Sequence, residues 1–261
     1  MAETARRIDV LQTRPRFTAA DVAALNRRFA EVPTIAMLRA VLREGLAGDV
    51  AVVSSFGAES AVLLHLIATI DRSVPVLFLD TGKHFPETLA YRDTVMRRLG
   101  MANLVNLKPS PAAVAARDHT GLRWSYDPDG CCEVRKVQPL AAALSQFDAS
   151  LTGRKGFQSK TRTGLQTFEL DQTDAAGRLK INPLAAWSSE QVSAYFAAMG
   201  LPAHPLVTQG YPSIGCSPCT SKVAPGEDPR SGRWKGWDKT ECGIHVDGAS
   251  GELPPGYDPA F

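Results

Sequence analysis

The chain has 261 residues, 44% of them hydrophobic and 21% charged, enough to bury a substantial core and too apolar for intrinsic disorder. Lys and Arg number 29 against 27 Asp and Glu, a formal net charge of +2. That balance excludes a general nucleic-acid or polyanion binder, so any basic site is local. The longest apolar runs, such as residues 61–68, are far shorter than the roughly 20 residues that cross a bilayer. The opening MAETARRIDV has no apolar secretory stretch, so a cytoplasmic location without membrane association is expected.

In chain order, residues 1–48 read as a helical lead-in, with helical patterning over 20–29 and 34–46. Residues 49–199 read as an α/β core. Residues 49–54 are a short β-branched run ending in a polar turn, and 60–70 are helical. Residues 75–79 form a second strand, followed by a helix over 86–99 with Pro86 in its first turn. Further strands are predicted at 103–107, 149–153 and 178–182, and Trp187-Ser188-Ser189 reads as a helix start. Strands alternating with helices predict a mostly parallel sheet with helices on both faces. Residues 200–261 change texture to Gly, Pro, Ser and charge, an irregular C-terminal segment that holds three of the five cysteines.

Ser54-Ser55-Phe56-Gly57-Ala58-Glu59-Ser60 joins a strand to a helix. Small and hydroxyl residues there turn backbone N–H groups and the helix dipole toward an anion. Ser54, Ser55, Gly57 and Ser60 are the candidate contacts. It is neither a Walker A loop nor a dinucleotide fingerprint. The loop resembles the phosphate-binding loop of the adenine-nucleotide α-hydrolase-like group, which includes ATP pyrophosphatases and sulfonucleotide reductases. Phe56 and Glu59 depart from the pyrophosphatase pattern and fit the reductase branch better. Leu79-Asp80-Thr81-Gly82 ends the next strand, where open α/β sheets bind ligands.

The cysteines are an adjacent pair, Cys131 and Cys132, a C-x-x-C of Cys216 and Cys219, and Cys242 alone. An odd count in a reducing compartment argues against a disulfide framework and for metal or redox chemistry. Four thiolates suit either structural zinc or an iron–sulfur cluster. Zinc ribbons more commonly use two spaced C-x-x-C knuckles.

Cys131-Cys132-Glu133-Val134-Arg135-Lys136, Cys216-Ser217-Pro218-Cys219 and Glu241-Cys242-Gly243-Ile244-His245 together resemble the assimilatory adenylyl-sulfate (APS) reductases of the sulfonucleotide reductase family. The resemblance implies thioredoxin- or glutaredoxin-dependent reduction of adenosine 5′-phosphosulfate to sulfite and AMP, in sulfate assimilation toward cysteine. It implies one [4Fe–4S] cluster per chain on Cys131, Cys132, Cys216 and Cys219, with Lys136 between cluster and substrate. It makes Cys242 the nucleophile, with His245 beside it, and passes the reaction through a Cys242 S-sulfonate. Substrate contacts are expected from Leu79, Asp80, Thr81 and Gly82. They are also expected from the basic loop Arg154, Lys155, Gln158 and Arg162, where Gly156-Phe157 departs from the family's consecutive arginines, and from Arg230 and Arg233. Lys239 and His245 are expected to lower the Cys242 pKa, with Glu241 opposing.

Other readings stay open at this point. The 3′-phosphorylated substrate, PAPS, would need a further basic contact such as Lys155 or Lys160, and its dedicated reductases lack the four cluster cysteines. A tRNA-thiolating enzyme and a zinc-binding interaction module are more distant alternatives. A homo-oligomer is compatible with the sequence.

Overall fold

The computed structural model describes residues 16–245, with His245 and Lys160 described by backbone only. Two helices, α1 (Ala19–Phe29) and α2 (Thr34–Leu42), precede the first strand. Thr18 starts α1 with a reciprocal capping box to Asp21, satisfying two orphan donors of the first turn. The strands are β1 (Val50–Val53), β2 (Val76–Leu79), β3 (Leu104–Leu107), β4 (Ala149–Thr152), β5 (Phe168–Leu170) and β6 (Leu179–Ile181). They form one sheet in the order β3-β2-β1-β4-β6-β5. Every pairing is parallel except β5 with β6.

The two-residue period of the strands explains the layering. Val52, Val76, Phe78 and Leu151 join one apolar cluster with α3 (Ser60–Ala68) and α4 (Pro86–Leu99). The alternate residues Ala51, Leu77 and Leu79 pack with Leu140 and Leu144 of α7 (Gln138–Leu144) in a second cluster. Helices therefore cover both faces, as the patterning predicts. Between β3 and α7 come two short helices, α5 (Pro111–Arg117) and α6 (Pro128–Cys132). A π turn, Glu133–Val137, joins α6 to α7. None of these was predicted, because short helices broken by Gly and Pro lack a sustained period.

β5 was also missed. Its three residues are held by antiparallel pairing to β6 and by Asn26 of α1, which donates to the Phe168 carbonyl at 2.9 Å and accepts its N–H at 3.0 Å. The predicted helix at Ser188 appears as α8 (Ser189–Ala198), with a Ser188–Gln191 capping box. Beyond α8 the chain is irregular apart from short 3₁₀ turns up to residue 245. No helix among the described residues is long and apolar enough to cross a membrane.

His204 anchors the start of this irregular segment. It is fully buried. Its Nδ1 accepts the Leu206 N–H at 3.2 Å, which leaves the proton of the neutral ring on Nε2, 3.1 Å from the Thr88 hydroxyl. Burial pushes its pKa down to about 4, against a smaller upward pull from Glu87. A depressed histidine pKa stabilises the fold fully above its unfolded value and loses that stabilisation as pH falls through the folded one. The unfolding free energy of the wild type, from urea titrations, should therefore drop between about pH 6.5 and pH 4, and His204→Gln should show a drop smaller by up to about 3 kcal/mol. Parallel acid limbs for the two proteins would show that His204 does not set this dependence.

Candidate active site

The carboxyl ends of β1 and β2 open onto the two loops singled out in the sequence. Ser54 is buried, and its Oγ accepts the Phe56 N–H at 3.2 Å. Phe56 then takes a left-handed backbone with φ of 47°. Its ring, fully buried edge-on to Phe78 with centroids 5.6 Å apart, holds that conformation in place. Positive φ is costly for such a side chain, so core packing replaces the glycine usual at such a turn. Ser60 Oγ donates to the Gly57 carbonyl at 2.6 Å, while Ser55 stays exposed. In the second loop, Gly82 donates to Asp80 at 3.2 Å and Thr81 is buried, its hydroxyl 3.3 Å from Cys216 Sγ.

The basic loop after β4 is buried and matched with acids. Arg154 pairs with Glu169 and reaches Asn182 Oδ1 at 3.2 Å. Lys155 Nζ donates to Glu59 at 2.9 Å and to the Gly153 carbonyl at 3.2 Å. Burial lowers the Lys155 pKa, with Glu59 opposing. Gln158 donates to the same Glu59 oxygen at 3.0 Å and accepts from Arg162 at 2.7 Å. Arg162 in turn grips both carboxylate oxygens of Glu241, at 2.8 and 2.7 Å. Arg230 lies 3.5 Å from Glu241 and donates to the Thr240 carbonyl at 2.8 Å. Glu169 was not anticipated, and although the sequence singled out Glu59 and Glu241, it did not give their pairing with Lys155 and Arg162.

The sulfurs gather where α6, the π turn and the tail meet. Burial pushes the Cys131 thiol up to about 11, and Cys216 and Cys219 act on it electrostatically. Cys132 instead faces Cys242, and the two form one buried cluster with Trp234, on which Cys219 and Ile244 pack. The hydrogen bond between them raises the Cys132 pKa and holds Cys242 well below the usual thiol value, against burial. Lys136, the Ile244 N–H and Lys239 add to the lowering. Glu241, expected to oppose it, is turned instead onto Arg162 and Arg230.

Lys136 sits among these groups. Burial works against its charge, but Cys216, Cys242 and Cys132 outweigh that and raise its pKa. Its neighbour Arg135 pairs with Asp118 at 2.7 Å and donates to the Thr81 carbonyl at 2.9 Å, tying the π turn to the second loop. Lys239 pairs with Asp129 and lies 5.5 Å from the Trp234 ring centroid. Arg233 stacks on the same ring at 4.4 Å, and its buried Nε has no hydrogen-bond partner. The expected role of the His245 side chain, and that of Lys160, lie outside the described residues.

Among the described residues no three His, Cys, Asp or Glu side chains are close enough to hold a single metal ion. Cys131, Cys216 and Cys219 are nevertheless near enough to perturb one another, and the adjoining cations Lys136 and Arg233 act on Cys219. A cubane distributes its ligands over four separate iron corners, and an all-sulfur donor set with nearby cations suits it chemically. Three of the four expected ligands are therefore gathered, and their chemistry suits such a cluster, whereas the fourth, Cys132, faces Cys242 in this structure.

The geometry defines an α/β protein whose loop after β4 carries buried, acid-paired basic residues and whose tail buries Cys242 beside Cys132. Residues 49–222 match the phosphoadenosine phosphosulfate reductase domain, and the chain belongs to that family of enzymes, which reduce a sulfur group. It is 50% identical over 230 residues to an adenosine 5′-phosphosulfate reductase from Mesorhizobium japonicum, covering 88% of this chain and 89% of that one. It is 43% identical over 196 residues to a phosphoadenosine 5′-phosphosulfate reductase from Gloeobacter violaceus, covering 74% and 80%. The crystal structure of phosphoadenylyl-sulfate reductase from Candida auris, a phosphate complex, is similar with a TM-score of 0.64 and 28% identity. That match covers 79% of this chain and 98% of the other.

The loop bearing Arg230 and Arg233 is fixed by a close backbone approach. Ser221 donates to the Gly232 carbonyl at 2.8 Å, and a Cβ on Gly232 would lie 2.3 Å from the Ser221 carbonyl oxygen. Because the obstacle is backbone, it cannot swing aside. Gly232→Ala should cost about 1–3 kcal/mol in urea unfolding, whereas Gly226→Ala, with open space around it despite its positive φ, should cost less. Equal losses would count against the steric reading.

Proposed function

We propose that the protein reduces adenosine 5′-phosphosulfate to sulfite and AMP with electrons from thioredoxin or a similar dithiol such as glutaredoxin. The observation that supports this most is Cys242, buried with Cys132 and Trp234, where the nearby charge of Lys136 favours its thiolate. The adenosine and phosphate are assigned to Ser54, Ser55, Gly57, Ser60, the Leu79–Gly82 turn and the Arg154–Arg162 loop. The sulfonate is assigned to the neighbourhood of Lys136, Arg230, Arg233 and His245.

In this mechanism the Cys242 thiolate attacks the sulfonate sulfur. The sulfur–oxygen bond to phosphate breaks, AMP leaves with the electron pair, and Cys242 becomes an S-sulfonate. The charge of Lys136 and the guanidinium of Arg233, whose Nε is unpartnered in the protein, stabilise the oxygens on which negative charge redistributes. A reductant thiolate then attacks Cys242 Sγ. Sulfite departs with the sulfur–sulfur electron pair, and the second thiol of the reductant resolves the mixed disulfide, returning Cys242 as thiolate. Cys131, Cys132, Cys216 and Cys219 would hold the [4Fe–4S] cluster, which when bound adds structural and electrostatic support while the electrons come from the dithiol.

Two features favour APS over PAPS. The four cysteines are present, and Lys155, a candidate for a 3′-phosphate, is buried and committed to Glu59 and Gly153. PAPS remains the second reading because relatives of that name share the fold. Anaerobic assays of iron-loaded enzyme with thioredoxin should give sulfite from APS and at least about tenfold less from PAPS at equal concentration, a difference of about 1.4 kcal/mol in the barrier. Cys242→Ser should abolish sulfite release while AMP binding persists. Equal rates would overturn the substrate assignment, and turnover by the serine variant would overturn the mechanism.

A further inference from the structure

We propose that Glu241 is a positioning residue that sets the approach of Cys242, and that it does so from an ionic clamp anchored on the nucleotide side of the crevice. This deepens the reading above and rests on Cys242 being the nucleophile. Glu241 is 12% exposed, and Arg162, at 8%, grips both its oxygens in a planar fork, the geometry that most narrowly fixes a carboxylate. Arg230 and the Thr161 hydroxyl approach the same carboxylate at 3.5 and 3.4 Å.

Cys242 is the next residue, so its Cα stays about 3.8 Å from that of Glu241. On its other side Ile244 packs against the cluster of Leu77, Leu79 and Leu140. Besides its own packing with Cys132 and Trp234, the nucleophile is flanked by an ion pair on one side and an apolar contact on the other, in a tail that has only short 3₁₀ turns among the described residues.

The clamp also has a far end. Arg162 donates to Gln158, and Gln158 donates to Glu59, which immediately precedes α3 on the loop assigned to phosphate. One line of charge-assisted hydrogen bonds therefore runs from that loop to the residue before the nucleophile. Arg162 spends its fork on Glu241, so its first function is to hold the tail. Removing the carboxylate would leave the buried guanidinium uncompensated and free the tail to shift, and a displacement of about 1 Å at a reacting atom can cost about a hundredfold in rate.

The test uses the iron-loaded holoenzyme, Glu241→Gln and Glu241→Asp, with two readouts: steady-state kinetics on APS, and iodoacetamide labelling of each cysteine in the resting enzyme mapped by peptide mass. Glu241→Gln should lower kcat between about tenfold and a hundredfold with KM within about twofold. It should also speed labelling of Cys242 alone. Glu241→Asp, which keeps the charge on a shorter arm, should fall between it and the wild type. Unchanged kcat and labelling would overturn the proposal. So would a lower KM at unchanged kcat, which would make Glu241 a competitor of substrate for the arginines. Faster labelling of all five cysteines would reduce Glu241 to a structural role and overturn it as well. If the wild type itself makes no sulfite, the functional reading fails, while Cys242 labelling still decides whether Glu241 holds the tail.

Discussion

Lys136, half-buried by surface exposure, keeps its positive charge among the sulfurs of Cys132, Cys216 and Cys242, which raise its pKa against the opposing effect of burial. A buried charge without partners is among the most expensive features a fold can contain, so the surrounding structure has to supply anions at fixed positions. The π turn that carries Lys136 widens the helix by one residue per turn, a device found often at functional sites. Arg135, one residue earlier, faces Asp118 and the second loop, so the two cations are aimed at different groups. Cysteines from α6 and from two separate tail segments converge on the lysine, and the tail is therefore part of the site although most of it is irregular.

The crevice shows the same principle at larger scale. Arg154, Lys155 and Arg162 are all buried, and each has an acidic partner from a different stretch of chain: Glu169, Glu59 and Glu241. Low effective dielectric makes these pairs strong and makes a missing partner costly. The basic loop itself is consequently matched charge for charge at rest. An incoming dianion meets a framework that is already ordered, and the cations best placed to receive it are those least satisfied within the protein, with the unpartnered Nε of Arg233 as the clear case.

The α/β class was legible because short strand-like runs at residues 50–53, 76–79 and 149–152 alternate with apolar helical patterns. Such runs have few other ways to bury themselves. The turn at Ser54–Ser60 that joins β1 to α3 was also legible from residue type and spacing. Three features were not. β5 has three residues and exists through pairing with β6 and the Asn26 side chain. The segments 111–117 and 128–144 are cut into short helices whose apolar positions keep no long period. The acids that neutralise the basic loop lie 15, 96 and 79 residues away in sequence from their partners, and no local pattern can announce such distances.

By itself, the sequence determined the alternating strands and helices, the sulfur-rich donor set and the isolated cysteine near its end, since each depends on residue identity and short-range periodicity. Tertiary structure decided which groups meet. It turned Glu241 onto Arg162, packed Cys132 against Cys242, and brought Lys136 within electrostatic reach of Cys132, Cys216 and Cys242. Those choices come from burial, which requires every charge to find a partner in three dimensions whatever the separation along the chain.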